Sequence, residues 1–537
     1  MTKTKTFLLA SVAWSCLVLP ASADDAAILA RLDAMQAALD AQNREIAAQR
    51  AKIESQSQEI STLRRSLGTQ SKPAVAPAAA PAPAPVASQQ VQIDALKTEL
   101  DAYKNTQRLK EQDEPVVSYT NGRPMISSPD GRFTFALRGL AQFDMGYFDQ
   151  SESARRLAAT NGPSLSSGAN FRRAALGMQG QFFGDWSYLF NYDFGGSSGN
   201  ESQGRVQSVY LQYDGLKPFA FRIGAYPPPA SLEDSTSATD TIFMERNAPA
   251  DAARAIAGAD GRDAISAIYA GDALYAALSF TGGKVADSTT FTGEQTAFMG
   301  RVSDMVYSEG DWKLLVGVNG AYVVHPAYAN FAGPGGVHTV SLSSAPELTF
   351  DNTNTKLVNT GAINAEHVTQ WGLEAASQWR NFYAQAGYFD YSIERADGLP
   401  NPDFDGWYAQ TSWVLTGEPR SYSKANGVFG APKPRIPFSL QSGGMGAWEI
   451  AMRYSDLDLN FNEGVAGSAT PVGGVRGGQQ RIWTAGVNWY PNSLLRFSLN
   501  LEHIDVTRLG TTGAPVVANA DVGQSLNAVA LRTQFGF

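Results

Sequence analysis

Leu531-Arg532-Thr533-Gln534-Phe535-Gly536-Phe537 closes the chain, and the stretch ends on an aromatic residue with no polar tail. Taken with a period of two, Val529, Leu531, Thr533, Phe535 and Phe537 share one face, and Ala530, Arg532, Gln534 and Gly536 the other. One face is oily and one is wet. Chain ends usually fray into water, so a bulky apolar residue at the tip of a strand calls for an unusual environment. Two settings produce this pattern: the edge of a soluble sheet, or the wall of a barrel in lipid.

The same alternation recurs upstream from about Val116, in segments of about ten residues separated by Gly, Asn, Asp and Pro clusters. Phe133, Phe135, Leu137, Ala141, Phe143 and Tyr147 oppose Arg138, Gln142 and Asp144. Trp186, Tyr188, Phe190, Tyr192 and Phe194 oppose Ser187, Asn191 and Asp193. Ile450 and Met452 oppose Glu449 and Arg453, Trp483 and Val487 oppose Thr484 and Asn488, and Phe497 and Leu501 oppose Arg496 and Glu502. Periodicity cannot choose between sandwich and membrane barrel, but the aromatics gather near segment ends, as at Trp186, Phe382 with Tyr388, Trp407 with Trp413, and Trp483 with Trp489. Two interfacial girdles of that kind mark an all-β transmembrane antiparallel barrel, apolar outside and polar within. Phe537 then belongs to the lipid-facing row of the closing strand, an ending favoured by bacterial outer-membrane assembly machinery.

The beginning supplies the compartment. Lys3 and Lys5 precede an apolar run from Phe7 to Leu19, followed by Ala21-Ser22-Ala23, which is the layout of a secretory signal peptide over residues 1–23. The run is too short for a membrane anchor, which needs about 20 apolar residues. The one cysteine, Cys16, lies inside this segment, so the mature chain is expected to hold no disulfide and no Cys-ligated metal. Its 40 basic residues face 51 acidic ones, a net charge of −11, which disfavours nucleic acid as a partner. No later apolar run is long enough for a transmembrane helix, and a barrel is the remaining way to span.

Residues 24–71 carry an unbroken heptad seam: Leu32, Leu39, Ile46, Ile53, Ile60 and Leu67 occupy a positions, and Met35, Gln42, Gln49, Gln56 and Leu63 occupy d positions. A coiled coil in the periplasm is expected there. Residues 72–88, a Pro/Ala run, read as a semi-rigid extended linker. A short second helix follows over 89–114, with Ile93, Leu96, Leu100 and Tyr103 in helical spacing, and the barrel occupies 115–537.

Two stretches carry a resemblance. Phe221 to Ala252, "FRIGAYPPPASLEDSTSATDTIFMERNAPADA", and Gly406 to Tyr422, "GWYAQTSWVLTGEPRSY", resemble signature segments of the phosphate-selective porin O and P family of Gram-negative outer membranes. The resemblance spans Arg132 to Phe537 and implies a sixteen-stranded, water-filled barrel, a homotrimer, and a third extracellular loop folded inward to narrow the pore. Pro227 to Pro249 would be that loop. Its Pro227, Pro228 and Pro229 stop the strand. Ser231, Ser235, Ser237 and neighbouring threonines offer hydroxyls, and Glu233, Asp234, Glu245 and Arg246 bring opposite charges close together, suited to anchoring the loop to the wall. Arg246 is expected to govern conduction more than a plain loop arginine such as Arg420.

A pore selects small anions with rows of Arg and Lys that replace hydration without holding the ion too tightly. From Val116 onward there are 23 Arg and 6 Lys. Strand parity turns Arg138, Arg173, Arg222, Arg453, Arg496 and Arg532 to the lumen, with Arg301 and Arg380 as further members of the set. Their planar forks suit phosphate or carboxylate. Asp144, Asp193, Glu374, Glu449 and Glu502 share the lumenal parity, and opposed charge rows create a transverse field that serves many solutes. No catalytic residue, metal ligand set or cofactor site is found: His325, His338, His367 and His503 are scattered, without an HExxH pattern. The reading is an outer-membrane porin for small hydrophilic solutes, anion-leaning, with phosphate or polyphosphate among them. The alternative is a structural anchor whose coiled coil tethers the outer membrane to the cell wall.

Overall fold

The computed structural model describes residues 114–120, 122–150, 165–195, 204–285, 293–328, 337–351, 355–509 and 524–537, together with helical residues between 94 and 105 other than Leu96 and Tyr103. The expected signal peptide, coiled coil and Pro/Ala linker lie outside the described residues.

Sixteen strands form the wall: β1 (Thr134–Asp149), β2 (Gly168–Phe182), β3 (Trp186–Asp193), β4 (Arg205–Leu216), β5 (Phe219–Ala225), β6 (Arg262–Ala270), β7 (Leu274–Lys284), β8 (Thr296–Glu309), β9 (Trp312–His325), β10 (Ile363–Trp379), β11 (Phe382–Arg395), β12 (Asp403–Val414), β13 (Ala447–Phe461), β14 (Val475–Tyr490), β15 (Leu495–Thr507) and β16 (Gln524–Gly536). Each pairs antiparallel with the next. β16 returns to β1, from Asn527 opposite Asp149 to Gly536 opposite Leu140, so the sheet closes and its edges vanish.

Side-chain alternation sorts the two surfaces. Ile450, Met452, Trp483, Leu501 and Leu531 are exposed on the outside, while Glu449, Arg453, Thr484, Glu502 and Arg532 are buried within. Trp312, Trp379, Phe382 and Trp413 sit at successive opposing positions near one rim. A second band runs through Trp371, Tyr388, Trp407, Tyr454 and Trp483, with the Tyr454 and Trp483 rings 4.7 Å apart. These are the two girdles of a membrane barrel.

Connections at the first rim are short, as at 183–185, 217–218, 310–311 and 380–381, with one exception, residues 415–446. Those at the other rim are longer. Arg380 lies in a short turn at φ 53° and pairs with exposed Asp311, so it leaves the lumenal set. A hairpin of Val116–Thr120 and Arg123–Ser127 docks on the first residues of β1, Met125 opposite Ala136.

Three connections fold into the barrel: 226–261, 326–362 and the short-rim exception 415–446. The first holds one helical turn, α1 (Leu232–Ser235), and α2 (Ala248–Ala257). Asn247 caps α2, its side chain accepting from the Ala250 N–H at 2.9 Å, and Pro249 sits in the first turn, where a missing N–H costs nothing. The alanine face of α2 packs with Phe350, Leu357 and Val358 of the second connection and with Tyr391, Phe404, Ile482 and Ile504 of the wall. A polar interior was expected from alternation. Along β10 to β15 near the long-loop rim it is apolar instead, because loops cover it and exclude water.

The last residue completes the seam. Phe537 and Gly139 exchange both backbone hydrogen bonds, at 3.0 and 3.1 Å, and a Cβ on Gly139 would lie 2.6 Å from the Phe537 ring. Gly139→Leu is therefore expected to lower the fraction of heat-modifiable, folded barrel on gels several-fold. The added volume costs about 1–3 kcal/mol, and Phe537→Ala in the same chain should recover part of the loss; equal folding of Gly139→Leu and parent would refute the contact.

Candidate functional site

The inward connection 226–261 crosses the lumen with little secondary structure of its own, so its carbonyls need partners from elsewhere. The wall provides them. Gln142 donates to the Ala238 carbonyl at 3.3 Å and Gln534 to Thr239 at 3.2 Å. Arg420 reaches Asp240 at 3.1 Å, and Arg496 reaches Thr241 at 2.6 Å and Ile242 at 2.5 Å. Arg532 donates to Met244, and Arg453 to Glu245 at 2.9 Å. Two carbonyls of this run are met from elsewhere: Asp240 by Arg420 of the inward connection 415–446, and Phe243 by Thr241 within the loop at 3.0 Å.

Carboxylates complete the clamp. Arg532 grips Asp144 of the facing strand with two bonds of 2.6 Å and reaches Glu245 at 2.6 Å. Arg172 forks onto the same Glu245 at 2.9 and 3.0 Å. Burial pushes the Glu245 carboxyl up, but Arg172, Arg532 and Arg173 outweigh it and hold it well below the usual carboxylate range. Glu245 and Arg246, adjacent in sequence, do not pair with each other: Arg246 turns to Asp234 at 3.5 Å. Arg254 of α2 holds Asp234 at 2.5 Å and Asp260 at 2.6 Å, and Arg205 of β4 reaches Asp260 at 3.4 Å, tying the end of the loop to the wall. Burial raises the Asp260 carboxyl, and these arginines more than reverse that.

At the start of the loop, Ser231 caps α1 by accepting from Asp234 N–H at 3.2 Å, and Glu233 accepts from Gln385 at 2.9 Å and Gln410 at 3.0 Å. Glu374 of β10 receives the Leu232 N–H at 2.8 Å and Arg301 at 2.7 Å. Glu347, from connection 326–362, pairs with Arg453 and accepts the Ala248 N–H at 2.6 Å. Connection 415–446 enters from the short-turn rim: Arg301 holds the carbonyls of Asn426 and Gly427, and Arg420 pairs with Glu449 at 2.7 Å. Arg420 is thus a buried clamp residue and not the plain loop arginine expected from sequence.

With Arg380 in an exposed turn and Arg301 holding connection 415–446, the other six lumenal arginines divide by partner. Arg453, Arg496 and Arg532 are committed to the loop, and Arg173 donates to Gln142 at 2.7 Å with Glu245 at 4.0 Å. Arg138 and Arg222 have no carboxylate within 4.0 Å among the described residues. Both line a cavity of about 680 Å³ beside the loop, with Arg123, Arg173, Arg246, Lys433, Ser235, Ser237 and Asp240. Arg172 escaped parity reasoning because a bulge opposite Gln142 and Phe143 turns two consecutive arginines inward. The doublet itself, breaking strict alternation, was the signal.

A closed sixteen-strand barrel with an apolar belt, two aromatic girdles and a clamped inward loop is an outer-membrane porin, a channel and not an enzyme. The sequence model of the family described as "Phosphate-selective porin O and P" matches residues 144–537, and the chain belongs to that family. It is 29% identical to Porin O of Pseudomonas aeruginosa over 394 residues, covering 71% of this chain and 85% of Porin O. It is 26% identical to an uncharacterized protein of Caulobacter vibrioides over 79% of this chain and 78% of that protein. Among solved structures, it is similar to an anion-selective porin from Comamonas acidovorans at 13% identity, covering 75% of this chain and 100% of that one, with a TM-score of 0.44.

Removing the central clamp should loosen the loop. Arg532→Ala leaves Asp144 without its buried partner, a change that costs about 3–5 kcal/mol, and is expected to raise open-channel current noise and lower the unfolding midpoint; Arg420→Ala should act in the same direction, and a quiet, equally stable Arg532→Ala channel would refute the clamp. Because the Glu245 carboxyl is depressed in the fold, its contribution is present above the unfolded carboxylate value and lost only as pH falls through the lower folded one. Channel noise should therefore stay level from pH 7 to about 5.

Proposed function

We propose that the porin is an anion-leaning diffusion channel of the outer membrane. What carries this reading is the set of cations left unneutralised at the cavity: Arg123, Arg138, Arg222 and Lys433 lack a carboxylate within 4.0 Å among the described residues, against Asp240 as the carboxylate likewise without a paired cation. The committed arginines contribute structure; the uncommitted ones set the potential that a permeating ion meets. Inorganic phosphate is one such anion, in keeping with the family's description. The path follows the β2–β6 side, where Asn191, Gln207, Ser208 and Asp260 line the cavity, because the opposite side is filled by α2 and connection 326–362.

Short turns of bacterial outer-membrane barrels face the periplasm. On that orientation the cavity, lined in part by Asn492, Ser493 and Leu494 of a short turn, lies toward the periplasmic end. A homotrimer would bring three copies of the expected coiled coil of residues 24–71 together and raise their effective concentration enough to close a seam with polar Gln42, Gln49 and Gln56 layers.

Planar-bilayer reversal potentials under a KCl gradient test the reading. Moderate anion preference is expected in the parent, falling toward neutrality in an Arg138→Gln, Arg222→Gln variant and staying unchanged in an exposed-turn Arg380→Gln variant; cation selectivity in the parent would overturn it. Crosslinking of the full chain should yield trimers, and a monomeric product would remove the trimer.

A further inference from the structure

The cavity is chemically two-sided. On the wall, the Arg222 guanidinium lies 4.3 Å from the Tyr210 ring centre and 5.2 Å from that of Tyr226. The Tyr226 hydroxyl is tied to Ser266 at 2.6 Å and Ser266 to Ser279 at 2.6 Å, so the aromatic platform is fixed. Arg222 Nε donates to Gln212 at 2.7 Å, and its remaining N–H groups have no protein acceptor among the described residues. Arg138 donates from Nη1 to Gln179 at 3.1 Å and likewise keeps donors free. On the inward loop, Ser235 lines the cavity and its Oγ is buried without a hydrogen-bond partner among the described residues, while Ser237 and Thr239, which also line it, bond each other at 2.9 Å and Thr239 reaches Asp240 at 3.3 Å. Arg138 and Arg222 are four strands apart, roughly 19 Å around the wall.

A compact inorganic ion can meet one guanidinium, but it cannot offer hydroxyls along a chain to the loop in the same cavity of about 680 Å³. An extended organic anion can. Its carboxylate would take a bidentate arginine fork, and hydroxyls along its chain would exchange hydrogen bonds with Ser235, Ser237 and Thr239. An aliphatic carboxylate of the same length would offer the same charge but leave those hydroxyls unmatched. Resting on the anion-channel reading, we propose that this cavity is a subsite for polyhydroxylated carboxylates, the chemical class of the sugar acids.

Purified full-length protein in planar bilayers would carry KCl current while potassium gluconate, hexanoate or inorganic phosphate is added at matched ionic strength. Gluconate is expected to half-block the current at about tenfold lower concentration than hexanoate or phosphate, the worth of one or two added hydrogen bonds. Arg222→Gln should raise the gluconate value about tenfold. Ser235→Ala with Ser237→Ala, a mild change to the loop, should erase the advantage of gluconate over hexanoate while leaving hexanoate itself unmoved. Equal block by gluconate and hexanoate, or stronger block by phosphate, overturns the subsite and leaves the anion channel standing. Absence of any KCl current would instead remove the channel reading, and the subsite with it.

Discussion

Buried guanidinium groups that hold a coil segment across a water-accessible barrel are the constraint on which the rest of the structure depends. A loop threaded through a lumen presents carbonyls that no ladder satisfies, and leaving them unpaired in a partly desolvated space would cost more than the loop could recover from packing. Arg453, Arg496, Arg532 and Arg420 meet that demand with several donors each, which a lysine could not match in the same geometry. Their charges are balanced in turn by Asp144, Glu245, Glu347 and Glu449. Arginine outnumbers lysine in the barrel because the architecture uses planar, multi-donor forks.

Once the loop is held, the lumen becomes asymmetric. Helix α2 and the second inward connection lie against β10 to β15 and complete an apolar core inside the barrel. The cavity is left on the opposite side, where the wall carries Asn191, Gln207, Ser208, Arg138 and Arg222. A membrane barrel of this kind has two hydrophobic surfaces with different causes: the outer one faces lipid along its whole girth, while the inner one exists only where protein covers it.

Counting charges therefore misstates the pore. The barrel region carries more acids than bases, yet most lumenal carboxylates are spent on arginines that hold the loop. On the reading proposed above, the field along the path is set by the few groups without partners. Small changes among these residues would alter selectivity without disturbing the fold, whereas changes among the paired ones act on the constriction first.

By itself the sequence determined the period-two alternation and the aromatic bands, because each is a local pattern: Leu531 and Arg532 point to opposite faces whatever strand lies beside them; the inward loop entered only as what the resemblance of two stretches to a known family implies. With fourteen strands between β1 and β16 along the chain, nothing local in Arg532 says that it will meet Asp144, nor does Arg420 reveal that its connection turns inward from the short-turn rim. Likewise Arg172 and Arg173 needed a bulge to face the same carboxylate, and Ile482 and Ile504 needed covering loops to be apolar inside a pore. Only the tertiary structure decided which arginines became clamps and which were left lining the cavity. The physical reason is that a guanidinium's role is set by the acceptors within about 3 Å of it, and barrel closure brings those acceptors from strands hundreds of residues apart.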